Sequence, residues 1–448
     1  MTASEQLAQF AAGSKALPKL CREYKKERAT VHLKELVGGA LSFYAAAAVA
    51  KTGGVHIFVA EDRDAAAYLL NDFYNLLDEK QVYFFPSSYK RSAAYGAEDA
   101  QGVVQRTTAM NAVRGFTKGY LVVCTYPEAL AERVVDAATL QRDTIAVKLG
   151  DKISIAVLED ALADANFTRV DFVYEPGQYS VRGGIVDVFS YSESKPYRID
   201  FFGDEVDSIR RFNISSQLSA DKLDRVEIVP NLNAGEAPRV SFVQFAGSSA
   251  TCWFYDADYV LRRVNDLRRK VLADMEEPGQ IDRLLTSRNV LLRDMAGNSV
   301  VALRDNLPER PATAAVVFDT APQPKFNKNF EMLADDMIRN SLRGYATYIL
   351  SENKVQVERL ENIFHQIGRG QAAVRSLSVT LHEGFVDNDL KLCLYTDHQI
   401  FDRYQRYRIN GEIRRDEQMT VAELNQLRPG DYVVHMDHGV GRFDGLVK

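Results

Sequence analysis

The sequence holds 448 residues, 46% of them hydrophobic and 26% charged, a globular composition that excludes disordered, collagen-like and mucin-like chains. Lysine and arginine number 55 against 61 aspartates and glutamates, a net charge of −6, which argues against a protein that coats nucleic acid over its whole surface and leaves local basic patches only. Cys21, Cys124, Cys252 and Cys393 are scattered without a CxxC pair, as suits a reducing compartment, and no apolar run approaches the roughly 20 residues that span a bilayer.

A cytoplasmic protein with no membrane partner is expected, since the lysines and arginines near the N-terminus are not followed by a signal-peptide core. The length suits three or four domains. Residues 1–30 read as one or two short helices. Across 31–143, short apolar runs (Val55–Ala60, Val82–Phe85, Tyr120–Cys124) alternate with helix-period segments (Leu41–Ala50, Ala65–Leu77, Gly102–Phe116). That alternation predicts βαβ units on a parallel sheet. Residues 144–230 change to short β-rich runs broken by Pro176-Gly177, Gly183-Gly184 and Gly203-Asp204, the pattern of a small inserted α+β domain. Residues 231–320 return to mixed α/β, with a strong helix from Asp256 to Met275, and 321–330 read as a linker. A third α/β domain covers 331–415: a helix, strand Tyr345–Leu350, helix Val355–Ile367 and strand Leu390–Tyr395. The last stretch, 416–448, is β-like with glycine turns and stops before it could close a sheet. The fold class is therefore α/β and multidomain, and no internal repeat is visible.

The loop after the first strand reads Leu36-Val37-Gly38-Gly39-Ala40-Leu41-Ser42-Phe43. A working phosphate loop needs GxxxxGK[ST], with glycines exposing backbone N–H groups, a lysine for the terminal phosphates and a hydroxyl for magnesium. Here the glycines are adjacent and no lysine follows; Lys51-Thr52 lies a helix further on. An acidic strand end that would orient magnesium is also missing, with Val316-Val317-Phe318-Asp319 the nearest match. An NTPase-like core without its chemistry is expected, with no catalytic residue and no cofactor.

The most specific stretch spans residues 174–213, YEPGQYSVRGGIVDVFSYSESKPYRIDFFGDEVDSIRRFN. It predicts strands Ile185–Phe189, Tyr197–Phe202 and Glu205–Arg210. In the second, alternation places Tyr197, Ile199 and Phe201 on one face and Arg198, Asp200 and Phe202 on the other. Phenylalanine beside arginine on the nominally polar face is unusual, and both types are enriched at interface hot spots. Arg182, just before the paired glycines, reaches the same side. From the residues alone, Phe202 either packs against another domain or marks an interface.

This stretch strongly resembles the second domain of UvrB and of the bacterial transcription-repair-coupling factors, where RGG-x-x-D-x-F followed by R-I-[DE]-F-F-G-D-E-[IV]-D-S-I-R marks the UvrA-binding domain. UvrB keeps an intact GKT loop and a long tyrosine-rich hairpin. This sequence lacks the loop, and residues 86–91 lead to a helix with no room for the hairpin. LHEGFVDNDLKLCLY at 381–395 resembles the coupling factors' third domain. PGDYVVHMDHGVGRF at 429–443 resembles the opening of their CarD-like module, which binds RNA polymerase. The resemblance covers the chain from about residue 30. It implies a degenerate RecA/UvrB-like parallel core formed by 31–143 and 231–320, a UvrA-binding domain at 144–230, and an incomplete β-barrel stub at 416–448. It implies a non-catalytic, monomeric N-terminal region that offers Arg182, Arg198 and Phe202 to UvrA. RNA polymerase would be met through the module beginning near Gly430, and DNA, ATP and Mg through a motor elsewhere in the parent protein, an ATP-driven translocase.

Other candidates are weaker. Helix 260–271 carries an apolar stripe of Val260, Val264, Leu267 and Val271 with arginines beside it, the layout of an amphipathic helix with a solvated face. Phe401 to Arg408, with Arg414-Arg415, interleaves aromatics and arginines in a way that fits base stacking or a domain-connecting helix. His435 and His438 with Asp431 and Asp437 lack the convergence a metal needs, so no metal site is expected. Trp253 and Cys124 read as core residues.

Overall fold

The computed structural model describes residues 2–89, 99–214, 216–232, 237–275, 277–403, 405, 408–409, 412–413, 430–435 and 439–443. They form two compact units, 1–405 and 406–448.

The first unit is built on a sheet of seven strands in the order Ala314–Val317, Thr30–Lys34, Ser299–Ala302, Thr251–Phe254, Gly54–Val59, Tyr120–Thr125 and Val82–Phe84, all parallel. Most of the strands are near-continuous apolar runs because both faces are covered, and Val31, Ile57, Phe58, Val122, Val123, Cys252, Val300 and Val301 are buried. The sheet draws strands from residues 30–125 and from 251–317, on either side of the β-rich stretch. Its helices start where the sequence supplies caps. The Asp62 carboxylate accepts from the Ala65 N–H at 2.9 Å ahead of Arg63–Leu76, and that of Asp256 from the Tyr259 N–H at 2.9 Å ahead of Ala257–Asp274. Helix Ala40–Thr52 is apolar almost all round, since it is covered on more than one side.

The β-rich stretch forms a six-stranded sheet in the order Ser219–Leu223, Glu205–Phe212, Tyr197–Phe202, Ile185–Val188, Gln178–Arg182 and Thr168–Arg169. One face carries Tyr179, Val186, Val188, Tyr197, Ile199, Val206 and Ile209. These pack with Leu158 and Leu162 of helix Ile155–Asp164 and with Val147, Val226 and Ile228 of a two-stranded ribbon.

A five-stranded sheet follows, in the order Thr320–Pro322, Phe385–Asp387, Leu392–Thr396, Ala346–Leu350 and Ser376–Leu377. Helices Phe330–Leu342 and Lys354–Gln366 pack against it. Here the linker reading of 321–330 needs correction. Thr320–Pro322 pairs antiparallel as an edge strand, the Gln323 side-chain oxygen accepts from the Thr396 N–H at 2.7 Å, and Phe326 is buried in the core. Prolines signal a break in sequence, yet an edge strand tolerates them.

The second unit contains two antiparallel pairs, Arg408–Ile409 with Glu412–Ile413 and Tyr432–His435 with Gly439–Arg442. The Arg442 guanidinium lies 5.0 Å from the Tyr432 ring centre. No helix among the described residues is long and apolar enough to cross a membrane, and all four cysteines are buried thiols.

Candidate protein-interaction surface

Two hairpins shape the outer face of the six-stranded sheet. Arg182 pairs with Ile185 across Gly183-Gly184, and Phe202 pairs with Glu205 across Gly203-Asp204. Two-residue loops of this kind need a left-handed first residue; Gly183 sits at φ +59° and Gly203 at φ +63°. Both turns lie at the same end of the sheet, tied by the Phe201 N–H donating to the Gly184 carbonyl at 2.8 Å. Alternation then leaves two rows facing out, polar but for Ile185: Ser180, Asp187, Arg198, Arg210 and Lys222, and, nearer the turns, Arg182, Ile185, Asp200 and Ser208.

Asp187 is the centre of this face. It is buried, and its carboxylate accepts two bonds from Arg198, at 2.7 and 2.8 Å, and one from Arg182 at 2.5 Å. Each guanidinium also lies over a ring: Arg198 is 4.4 Å from the centre of Phe212, and Arg182 4.8 Å from that of Phe172. The Asp187 bonds hold the Arg198 pKa above its ordinary value. Asp200 accepts in the same way from Ser208 and Arg210. The face thus presents fixed cations rather than mobile ones. Phe202, by contrast, is 84% exposed at the turn. Phe172 and Leu218 are exposed too; the residue before Leu218, Gln217, accepts from Arg198 at 3.2 Å.

The structure therefore brings Arg182 and Arg198 together through one carboxylate and sets Phe202 in solvent, so packing of Phe202 against another domain is not seen among the described residues. Arg198 lies on the outward face of its strand, as alternation predicts, yet it is packed down on that face. Its side chain is only 15% exposed, because it roofs Phe212 and neutralises Asp187. Sequence reading missed Asp187 and Phe172 as parts of the face. Asp187 had a signal, as the aspartate of the RGG-x-x-D-x-F run set between the apolar Val186 and Val188; Phe172 had none.

The glycine loop is filled from within. Gly38 has φ +56°, and a Cβ on Gly39 would lie 2.0 Å from the Glu383 carbonyl oxygen. The Asp72 carboxylate, buried beneath the loop, accepts from the Ser42 hydroxyl and the His382 N–H, both at 2.7 Å. Tyr44 donates to Asp387 at 2.5 Å and the Asn75 amide to the Thr380 carbonyl at 2.9 Å. A nucleotide's phosphates do not fit a loop without a lysine whose opening holds a carbonyl oxygen. Asp319 is engaged by the Asn388 side chain at 2.7 Å.

The arginines of helix Ala257–Asp274 are in use. Arg263 bonds Glu128 at 2.7 Å, Arg268 bonds Asp282 at 2.6 Å and the Leu285 carbonyl at 2.8 Å, and Arg269 pairs with Asp266. Val260, Val264 and Val271 are buried. Arg403 lies over Phe401, while Tyr404, Arg406, Tyr407, Arg414 and Arg415 fall outside the described residues, as do Asp437 and His438. No cluster of metal-ligating side chains occurs among the described residues.

The chain is similar to known proteins. The family model of the UvrB interaction domain matches residues 145–233, and that of the CarD-like/TRCF RID domain matches residues 427–448. The transcription-repair-coupling factors of Bacillus subtilis (strain 168) and Escherichia coli (strain K12) are each 23% identical over 92% of this chain and 42% of their own length. That of Staphylococcus epidermidis (strain ATCC 12228 / FDA PCI 1200) is 22% identical over 84% of this chain and 38% of its own. The chain therefore spans about two fifths of the length of the curated relatives it matches. Over most of its residues, with a UvrB interaction domain at 145–233, the chain is similar to transcription-repair-coupling factors.

Proposed function

We propose that the outer face of the six-stranded sheet docks UvrA, and that the chain serves as the non-catalytic adaptor region of a transcription-repair-coupling factor. The observation that carries this reading is the pair of guanidiniums fixed on Asp187 beside an 84% exposed Phe202. An aromatic anchor flanked by preorganised arginines is the composition of a binding hot spot. The arginines keep N–H donors free for acidic or carbonyl groups of a partner, and holding them in place lowers the ordering cost of binding. The match to the UvrB interaction domain supports UvrA as that partner. The match at 427–448 supports RNA polymerase as the second.

In this reading 31–143 and 231–320 form a degenerate RecA/UvrB-like core, 144–230 the UvrA-binding domain, 331–415 a third α/β domain, and 416–448 the start of a polymerase-interacting barrel. The parent protein uses ATP and Mg in a separate motor to displace stalled polymerase from DNA, and then hands the site to UvrA for nucleotide excision repair. A nucleotide-dependent enzyme of the UvrB kind is disfavoured, because the Glu383 carbonyl fills the glycine loop.

The test is titration of this chain with purified UvrA in the absence of nucleotide, beside Phe202→Ala and a combined Arg182/Arg198/Phe202 alanine variant. Saturable binding weakened by about 30-fold in Phe202→Ala, equivalent to about 2 kcal/mol, and abolished in the combined variant is expected. Equal binding by wild type and Phe202→Ala, both folded, would move the interface elsewhere, and no binding by the wild type would sink the adaptor reading.

A further inference from the structure

A cavity of about 310 Å³ opens beside the glycine loop. It lies at the carboxyl ends of four adjacent parallel strands, among the residues that follow Lys34, Val59, Phe254 and Ala302. In open α/β sheets this edge is where ligands bind, and the volume falls in the range of small-molecule sites. The phosphate side of the edge is closed by the Glu383 carbonyl against Gly39. What remains open has a different chemistry.

Its walls are aromatic. His382 stacks on Tyr68 with ring centres 3.8 Å apart, and Trp253, itself buried and stacked on Phe58 at 4.9 Å, is also among the lining residues. Tyr255 stands partly exposed beside them. Three acidic side chains line the space, Glu61, Asp72 and Glu383, of which Glu61 and Glu383 are exposed; no lysine or arginine is among the lining residues. Arg304, 5.9 Å from the Tyr255 ring centre, is paired with Asp256 at 3.5 Å. Burial lowers the pKa of His382 and so favours its neutral ring. An anionic ligand would meet carboxylates with no counter-charge, whereas a cation finds both aromatic faces and acceptors.

We propose that this cavity binds a small organic cation with a flat apolar body, such as an aryl amidine, and excludes nucleotides. The flat body lies against the Tyr68–His382 pair and Tyr255, and the cationic head pairs with Glu61 and Glu383 at the rim. This assignment is independent of the UvrA-docking face, which lies on another sheet.

Trp253 is the only tryptophan in the sequence and is among the lining residues, so its emission is a local reporter of the cavity. The full chain is titrated with benzamidine, its neutral isostere benzamide, benzoate and ATP–Mg²⁺. Benzamidine is expected to give a saturable change, benzamide binding at least about tenfold more weakly, and benzoate and ATP–Mg²⁺ no response. In a Glu61→Gln/Glu383→Gln variant, benzamidine should fall to the affinity of benzamide, while the variant's unchanged circular dichroism reports an intact fold. Equal responses to benzamidine and benzamide, a preference for benzoate or ATP–Mg²⁺, silence with all four probes, or an undiminished preference in the double variant would each overturn the assignment.

Discussion

Arg198 and Phe202 lie four residues apart on one strand, and the same substitution should affect them differently. Phe202 buries almost nothing within the chain, so Phe202→Ala should leave unfolding free energy within about 0.5 kcal/mol of wild type. Arg198→Ala strips two bonds from a buried carboxylate and uncovers Phe212, which should cost roughly 2–3 kcal/mol. Urea unfolding of the two variants measures both values; equal midpoints would mean that the Asp187 cluster is not maintained in solution. A second residue-scale prediction concerns two buried groups shifted in opposite senses. His56 accepts from the Trp253 indole N–H at 3.1 Å and faces the Gly53 carbonyl; burial lowers its pKa to about 4. Its stability contribution is present above the ordinary histidine pKa and is lost as pH falls towards 4. Asp72 is raised by burial from 3.8 to about 7, so its contribution is full at low pH and is lost as pH rises through 7. The two trends oppose each other between pH 4 and 7. Asp72→Asn removes one of them, and its stability relative to wild type should rise by roughly 4 kcal/mol across that window. Denaturant titrations at pH 4.5, 5.5 and 6.5 check the slope, and a constant difference would refute the Asp72 shift.

At the scale of elements, what was legible in the sequence followed local rules. Gly183 and Gly203 announced their turns because only glycine enters the left-handed region freely, and alternation in Tyr197–Phe202 separated core from surface correctly. What was not legible needed a second segment. The roof that Arg198 makes over Phe212 depends on the pairing of two strands with a bulge near Asp207, and Phe172 reaches Arg182 from a stretch with no regular structure. The seal on the glycine loop joins residues some 340 positions apart, beyond any periodicity argument. That seal carries its own prediction. Because a Cβ at position 39 would overlap the Glu383 carbonyl, Gly39→Ala should destabilise the chain by about 1–3 kcal/mol. Gly115 has open space around it, and Gly115→Ala should be neutral or slightly stabilising by helix propensity. Faster amide exchange of residues 381–384 in Gly39→Ala, with no change in Gly115→Ala, locates the effect at the seal; exchange unaltered in both would show that the contact is loose.

For the whole molecule, the alternation of strands and helices exposed the α/β class, and the punctuation of 174–213 exposed a separate β-rich body. Composition could not show that one sheet gathers strands from both sides of that body. That arrangement also bears on synthesis. Among the described residues, the Thr30–Lys34 strand pairs only with Ser299–Ala302 and Ala314–Val317. These emerge from a ribosome about 270 residues later, a wait of roughly 15–55 s at ordinary elongation rates. The β-rich body, whose core residues run from Val147 to Ile228, is complete before then and can fold while the strand is still without a neighbour. Nascent chains thus carry a finished β-rich body ahead of an unfinished sheet, and for that interval one strand of the sheet has both edges open to foreign pairing.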